Sequence, residues 1–501
     1  MIISGILSVL TLKVIALIFS GTIVGIIVGA IPGLTVTMGV ALFLPVTFGM
    51  SPVEGISLLL ALYIGGTSGG LISAILLKIP GTPSSVATCF DGHPMAARGE
   101  AGKALSIGIV YSFLGGMFSL LVLFFVAPLL ANVALEFGPY EYFSIGLFSV
   151  TLVAGLSGDS LTKGMIAAVI GLVISFIGMA PITAFPRFTF GFDELNDGIS
   201  LLPALIGLFA VSQVLEDAEE KTVPAFVKAA EYKMKGVGFS IKEFVEQTGN
   251  FFRSSVIGTV IGILPGLGGA ICNILAYGIA KKQSKHPEKF GTGIMDGIVA
   301  SETSNNASTG GALVPLMTLG IPGDNTTAIL LGGFMIHGIS PGPLLFDTNG
   351  VLVYGIFAAL VICNIFMIIA MYGGMHYYVK ILSVPKHILL PVIMALCVIG
   401  AFGLNNRVFD VWTMLAFGAI GWLMKKASMQ TTPLLLGFIL GPIIEVNLRR
   451  GLMKSRGDLT PFLTEPISGA ILVLTAVILC YTAFNEYRKY IQRKAVMAKT
   501  P

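Results

Sequence analysis

Gly29-Ala30-Ile31-Pro32-Gly33-Leu34 and Gly262-Ile263-Leu264-Pro265-Gly266-Leu267 are one interruption written twice. Each closes an apolar run that carries glycines four residues apart, Gly25 and Gly29 in the first, Gly258 and Gly262 in the second. Proline lacks the amide hydrogen and clashes with the preceding turn, so a helix stops there. A second break follows in each half: Ile79-Pro80-Gly81-Thr82-Pro83-Ser84-Ser85, then Ile321-Pro322-Gly323-Asp324-Asn325-Thr326-Thr327. Broken helices at corresponding places in two halves of a membrane chain point to a transport site.

The composition requires a membrane. Of 501 residues, 55% are hydrophobic and only 11% are charged, against roughly 25% charged in an ordinary soluble domain. Runs such as Leu105 to Val133, Val351 to Met371 and Ile467 to Thr482 read as spans, which need roughly 20 apolar residues. The net charge of +4 gives no reason to invoke nucleic acid. Cys89, Cys272, Cys363, Cys397 and Cys480 show no paired spacing, so neither a disulfide framework nor a structural metal site is indicated. No basic leader precedes the first apolar run, and Lys13 falls inside it, so a cleaved secretory signal is not expected.

Read in order, the first run extends from Leu7 to Ile31 and the next from Thr35 to Phe48. After Pro80 a half-helix leads to Asp91-Gly92-His93-Pro94 and a polar turn with Arg98, Glu100 and Lys103. Longer helices are expected near Met117, Phe148, Ala168 and Leu205, with a mixed loop from Phe185 to Gly198. An offset of 233 carries Gly25, Gly29, Pro32 and Gly33 onto Gly258, Gly262, Pro265 and Gly266. An offset of 242 carries Gly55, Pro80 and Gly81 onto Gly297, Pro322 and Gly323.

Loop charge suggests that the copies are inverted. Phe48 to Gly55 holds no lysine or arginine and carries Glu54, whereas the equivalent turn holds Lys281, Lys282, Lys285 and Lys289. The acidic Asp193 to Asp197 loop likewise corresponds to a basic one with Arg449, Arg450, Lys454 and Arg456. Basic loops favour the cytoplasm, which also assigns the tail with Arg488, Lys489, Arg493 and Lys494 to that side. The expected fold is an all-α polytopic membrane protein of two inverted-topology repeats with discontinuous helices and half-spans. Its divisions are 1–215 and 251–450 for the repeats, 216–250 for a polar connector, and 451–501 for a last transmembrane helix and basic tail.

Thr82 is placed as an N-cap with Pro83 as the first helical residue. Asp324 or Asn325 would cap the second copy. A helix start attracts anions by roughly 0.3–1 kcal/mol when exposed and about 2 kcal/mol when partly buried. The expected substrate contacts are Gly81, Thr82, Ser84, Ser85, Gly323, Asn325, Thr326 and Thr327; the alternative is a pair of capped interfacial turns. For a coupling ion, Na+ or H+, the expected residues are Pro32, Gly33, Thr35, Pro265, Gly266, Asn305, Asn306 and Asp324. The polar run Ser301 to Thr309 fits a hard cation if intramembrane and a solvated loop otherwise, and Glu302 shares that ambiguity. Lys78 either snorkels to the interface or, facing the site, pairs with substrate or substitutes for a cation by its charge. Asp91 and His93 are proton relays or turn formers, and His337 is undecided.

Two other function classes compete. Gly66-Thr67-Ser68-Gly69 matches the G-x-S-G pattern of rhomboid intramembrane proteases, with His337 as a nominal base for Ser68. Ser308-Thr309-Gly310-Gly311 stands against Thr67-Ser68-Gly69-Gly70 if one residue is inserted afterwards, and a duplicated patch suits close helix contact better than a nucleophile. An anion channel is the other alternative. An ATP-driven pump lacks its phosphate loop in this sequence.

The Pro-Gly motifs and Phe90-Asp91-Gly92-His93-Pro94-Met95 resemble the large permease subunit of the tripartite tricarboxylate transporters, over essentially the whole chain. The resemblance implies a bacterial inner-membrane secondary transporter for carboxylates, not an enzyme, driven by a sodium or proton gradient and without a cofactor. It also implies two partners, a small four-helix membrane subunit and a periplasmic solute-binding protein. Lys78 departs from the neutral polar residue, often asparagine, expected of the family at that position.

Overall fold

The structure, a computed structural model, describes residues 1–156, 160–219, 238–381 and 386–497. Residues 220–237 of the expected connector, residues 498–501, and the side chains of Lys489, Arg493 and Lys494 in the basic tail lie outside that description. The described chain is helical almost throughout, with one two-stranded hairpin, Gly178–Met179 against Pro186–Arg187, which reaches into the expected loop. Among the described residues nine helices are long and apolar enough to cross a membrane, and the protein is a multi-pass membrane protein. On Ala101–Leu135, the residues Leu121, Phe125, Leu129 and Val133 recur every fourth position, each more than half exposed. That spacing keeps them on one helix face, an outward apolar stripe suited to lipid.

Among the described residues eight helices build the duplicated units, four in each. The first contains α1 (Leu12–Ala30), α2 (Val36–Phe43), α3 (Pro52–Leu77) and α4 (Thr88–Met95), and α5 (Ala101–Leu135) follows it. The second contains α6 (Thr248–Ile263), α7 (Gly268–Gln283), α8 (Met295–Leu319) and α9 (Asn325–Ile336). The breaks fall at the expected places, with Gly33 at φ 95° and Gly266 at φ 76°. Glycine enters this left-handed region without the steric cost a side chain would add.

The units also repeat their packing. A Cβ on Gly29 would lie 2.0 Å from the Gly66 carbonyl oxygen, and one on Gly262 would lie 2.5 Å from that of Ser308. Gly69 meets the Ile26 carbonyl oxygen as Gly311 meets that of Thr259, both at 2.4 Å. Gly81 and Gly323 approach the carbonyls of Gly29 and Gly262 at 2.2 and 2.6 Å. Every one of these pairs keeps the 233 and 242 offsets. Forcing a side chain into such backbone contacts costs roughly 1–3 kcal/mol or more.

This packing corrects one alignment. The 242 offset runs unbroken through α3 and α8, so Ser68 is matched by Gly310 and no residue is inserted. The alternative of a solvated loop is excluded, since Ser301 to Thr309 is a wholly buried part of α8. Its amides join the two central helices: Ser68 donates to Asn306 Oδ1 at 2.7 Å, and Asn305 Nδ2 donates to the Thr67 carbonyl at 3.3 Å. Such bonds between membrane helices average about 0.6 kcal/mol, so they set register more than stability.

Other expectations shift as well. The first apolar run is two helices, because Thr11 caps α1 by accepting from Val14 N at 3.3 Å after Ile2–Val9 has ended. Asp91 to Pro94 is helical, within α4, and the chain turns later, at Gly99 with φ 84°. Arg449, Arg450 and Lys454 belong to the helix Thr431–Lys454, not to a loop. Glu54 pairs with Lys13 at 2.9 Å, which offsets the acidity expected of that turn.

Candidate transport site

Each second break ends in the same local device. At the first, Ser85 Oγ accepts from Thr82 N at 3.2 Å, closing a capping box over the short turn Pro83–Ser85 that leads into α4. At the second, Asp324 is the cap: its Oδ1 accepts from Thr327 N at 2.7 Å, while Thr327 Oγ1 accepts from Asp324 N at 2.8 Å. The reciprocal pattern satisfies two otherwise unpaired groups of the helix start. The N–H groups of Asn325 and Thr326 remain without intrahelical acceptors, as does that of Ser84.

The two tips meet at a cavity of about 320 Å3 lined from both units. Each tip packs against the interrupted segment of the other unit. Thr37 in α2 lies 2.9 Å, hydroxyl to hydroxyl, from Thr326, and Gly269 in α7 lies against Ser84. The central helices exchange residues in the same way. Tyr63 of α3 donates to Asp324 Oδ2 at 2.7 Å, and its counterpart Asn305 of α8 brings Oδ1 to the neighbourhood of Gly269 and Ser84. The arrangement is reciprocal between the two units.

Of the expected residues, Thr35, Thr82, Ser84, Gly266, Asn305, Asp324, Asn325 and Thr326 line this cavity. Ser85 and Thr327 sit one layer behind as cap partners, and Gly81 and Gly323 fill backbone contacts. Pro32, Gly33 and Pro265 shape the breaks without lining the cavity, and Asn306 is turned to Ser68. Lys78 is exposed, outside the lining, and ends α3 at φ 59°; its counterpart Gly320 ends α8 at φ 71°. The position demands a left-handed residue, and asparagine, like glycine, adopts that conformation readily. A cap therefore accounts for the site without the cation-substitute role.

Several lining residues were not legible in advance: Thr37, Tyr63, Thr67, Gln213 and Lys425. Among the described residues that line the cavity, Lys425 is the one cation and Asp324 the one carboxylate. Lys425 is held by Gln213 at 2.7 Å and Glu216 at 2.5 Å. The lining oxygens Asn305 Oδ1 and Asn325 Oδ1 accept no hydrogen bond. Among the described residues no group of three His, Cys, Asp or Glu is placed to hold a metal ion.

The hydrolytic reading fails on geometry. Ser68 donates to an asparagine, and His337 Nε2 lies against Gly55, thirteen residues down α3, which is about 20 Å of helix. Asp91 is no relay either. It is buried and accepts from Tyr277 Oη at 2.8 Å and from the N–H groups of Gly291, Gly293 and Ile294 at 2.7 to 3.0 Å, clamping α4 to the turn before α8. His93 Nδ1 is spent on the Ile75 carbonyl at 3.1 Å.

Comparison with known proteins gives a concordant result. The family described as the tripartite tricarboxylate transporter TctA family matches residues 15–436. Two similar proteins occur in Agrobacterium vitis. An uncharacterized 52.8 kDa protein in the TAR-I ttuC' 3' region is 36% identical over 459 residues, 91% of this chain and 90% of its own length. An uncharacterized protein in the TAR-II ttuC' 3' region is 37% identical over 220 residues, 44% of this chain and 91% of its own length. No solved structure matches the chain.

Proposed function

This chain belongs to the tripartite tricarboxylate transporter TctA family, a family of transporters and not of enzymes, and we propose that it imports a carboxylate through the cavity between its two tips. The reading is supported above all by two capped helix starts, one from each unit, that converge on one cavity whose described lining residues include a single carboxylate and a single lysine. Helix starts favour anions through their unpaired N–H groups. The neutral Thr82 tip, with Ser84, is the seat of the substrate carboxylate, and the Thr326 N–H and hydroxyl complete it. Asp324, with Asn305 Oδ1 and Asn325 Oδ1, suits a sodium ion, a hard cation that takes oxygen ligands.

Import proceeds across the bacterial inner membrane, driven by the cation gradient, with a periplasmic solute-binding protein delivering substrate and a small four-helix membrane subunit alongside. The partner kind follows from the family, which works as a tripartite system. The two units are inverted relative to one another, with 216–250 as connector and 451–501 as the last span and cytoplasmic tail. The lysines near 281–289 support that orientation through the bias of basic loops to the cytoplasm. Uptake of labelled citrate and a panel of other carboxylates into vesicles holding the complete system, with and without a sodium gradient, tests the proposal. Ser84→Ala with Thr326→Ala is expected to lower uptake roughly tenfold, the value of about 1.4 kcal/mol of lost contacts, with membrane insertion intact. Normal uptake by that double variant removes the site.

A further inference from the structure

Glu302 is a buried carboxyl that the cavity does not use. It lies in the middle of α8, fully buried, one helical turn before Asn305. Its two oxygens meet hydroxyls only: Thr88 of α4 on Oε1, and Ser112 of α5 on Oε2 at 3.0 Å. The titratable groups on the surrounding helices are engaged elsewhere or, like Lys78, Lys281 and Lys282, lie exposed at helix ends. On α4, Cys89 contacts the Ser85 carbonyl, Asp91 clamps the turn before α8, and His93 holds Ile75. On α5, Lys103 is paired with Glu243 and Tyr111 reaches the Phe244 carbonyl. Tyr63 on α3 serves Asp324, and Tyr277 and Cys272 on α7 serve Asp91 and backbone carbonyls. Asp296, at the start of α8, accepts from Gln247. Among the described residues no lysine, arginine or histidine pairs with Glu302.

An ionised carboxylate without a cation is costly in such surroundings. The hydrogen count points the same way. Glu302 Oε1 contacts Thr88 Oγ1, Thr88 Oγ1 contacts Ser301 Oγ at 3.1 Å, and Ser301 Oγ contacts the Ile298 carbonyl at 3.1 Å. Those are three contacts, and the two hydroxyls supply two protons. All three form together when the carboxyl supplies the third, Glu302 donating to Thr88, Thr88 to Ser301, and Ser301 to Ile298.

We propose that Glu302 is a proton-binding site of the transport cycle, protonated in this conformation and released to water when α4 moves. The proposal rests on the carrier reading above and adds H+ to the sodium site at Asp324. The coupling path is short. Thr88 lies three residues after Ser85, which braces the substrate tip at Thr82, and Asn306 Nδ2 donates to the Glu302 carbonyl at 3.1 Å. Displacement of the first tip therefore separates Thr88 from Glu302, opens the carboxyl to water and lets its O–H bond break, the proton leaving to solvent.

Infrared difference spectroscopy on the full chain in lipid vesicles at neutral pH reads the carboxyl without any substrate. The wild type minus Glu302→Gln spectrum is expected to show a protonated carboxyl stretch; ionised carboxylate bands in its place overturn the proposal. Should Glu302→Gln fail to fold, Ser112→Ala reads the same group, because losing that hydroxyl moves the band, and an unmoved band is equally fatal. In vesicles with the complete system and citrate as probe, wild-type uptake carries protons inward. Glu302→Gln is expected to lose net proton-coupled uptake by roughly tenfold or more while citrate exchange stays within about twofold. A wild type that shows the band but moves citrate without protons overturns the coupling and leaves the carrier standing. A wild type that moves no carboxylate of the panel overturns the carrier reading, and the infrared result then decides the protonation alone.

Discussion

The two half-helix tips share a backbone device and differ in charge. Thr82 with Ser85 and Asp324 with Thr327 are related by 242 residues, and each closes a capping box at the same cavity. At the first tip the cap is a neutral hydroxyl, which itself adds no charge to oppose the pull of the helix start on an anion. At the second, a carboxylate occupies that position and is braced by Tyr63 from the other unit. The two tips are thus alike in backbone, and on the function proposed above the exchange of cap type divides them between anion and cation.

The largest effect should come from removing that division. Asp324→Asn keeps a good N-cap but deletes the charge, and sodium-driven uptake is expected to fall by at least roughly tenfold, as a lost charged ligand implies; the measurement is uptake against sodium concentration. Tyr63→Phe leaves the carboxylate but removes one donor, worth about 0.5–1.5 kcal/mol. The half-saturating sodium concentration should rise by up to about tenfold, and an unchanged value would detach Tyr63 from the ion. Lys78→Gly compares the ends of α3 and α8 directly. Relief of the left-handed backbone should raise thermal stability by up to about 1 kcal/mol, with the sodium dependence of uptake unaltered. A changed sodium dependence restores the charge-substitute role.

The smallest effect lies outside the spans, at Glu243. The hydrogen bond from Lys103, followed by the Ser240 N–H, holds its carboxyl down at about 2. A depressed value stabilises the fold above the unfolded carboxyl range and loses that contribution as pH falls toward about 2. Because the pair is partly exposed, solvent screening keeps the contribution small. Glu243→Gln should flatten the acid limb of a thermal-stability profile slightly and leave neutral-pH stability nearly unchanged.

What the sequence made legible was local. Pro-Gly breaks, caps and glycine spacing act within a few residues, so the division at Pro32, Pro80, Pro265 and Pro322 is readable before any tertiary contact is known. Tyr63, Thr37 and Lys425 were not readable, because their meaning arises from an approach between elements hundreds of residues apart. Asp91 to Pro94 misled for a related reason: glycine and proline suggest a turn, yet the clamp from Asp91 to the Gly291–Ile294 backbone accompanies a helical course. The polar run at Ser301 to Thr309 resisted assignment until α8 was seen to be enclosed on all sides. Its composition alone fits water and a protein interior equally well.

The division of the two tips is tested most directly by one two-dimensional measurement. Initial uptake of labelled citrate into vesicles holding the complete system is recorded while citrate and sodium concentrations are varied independently, for wild type, Ser84→Ala and Asp324→Asn. The account predicts that Ser84→Ala raises the half-saturating citrate concentration and leaves that of sodium unchanged, whereas Asp324→Asn abolishes the sodium response before it affects citrate. If both variants alter the same parameter by the same factor, the tips are one site and the division is wrong.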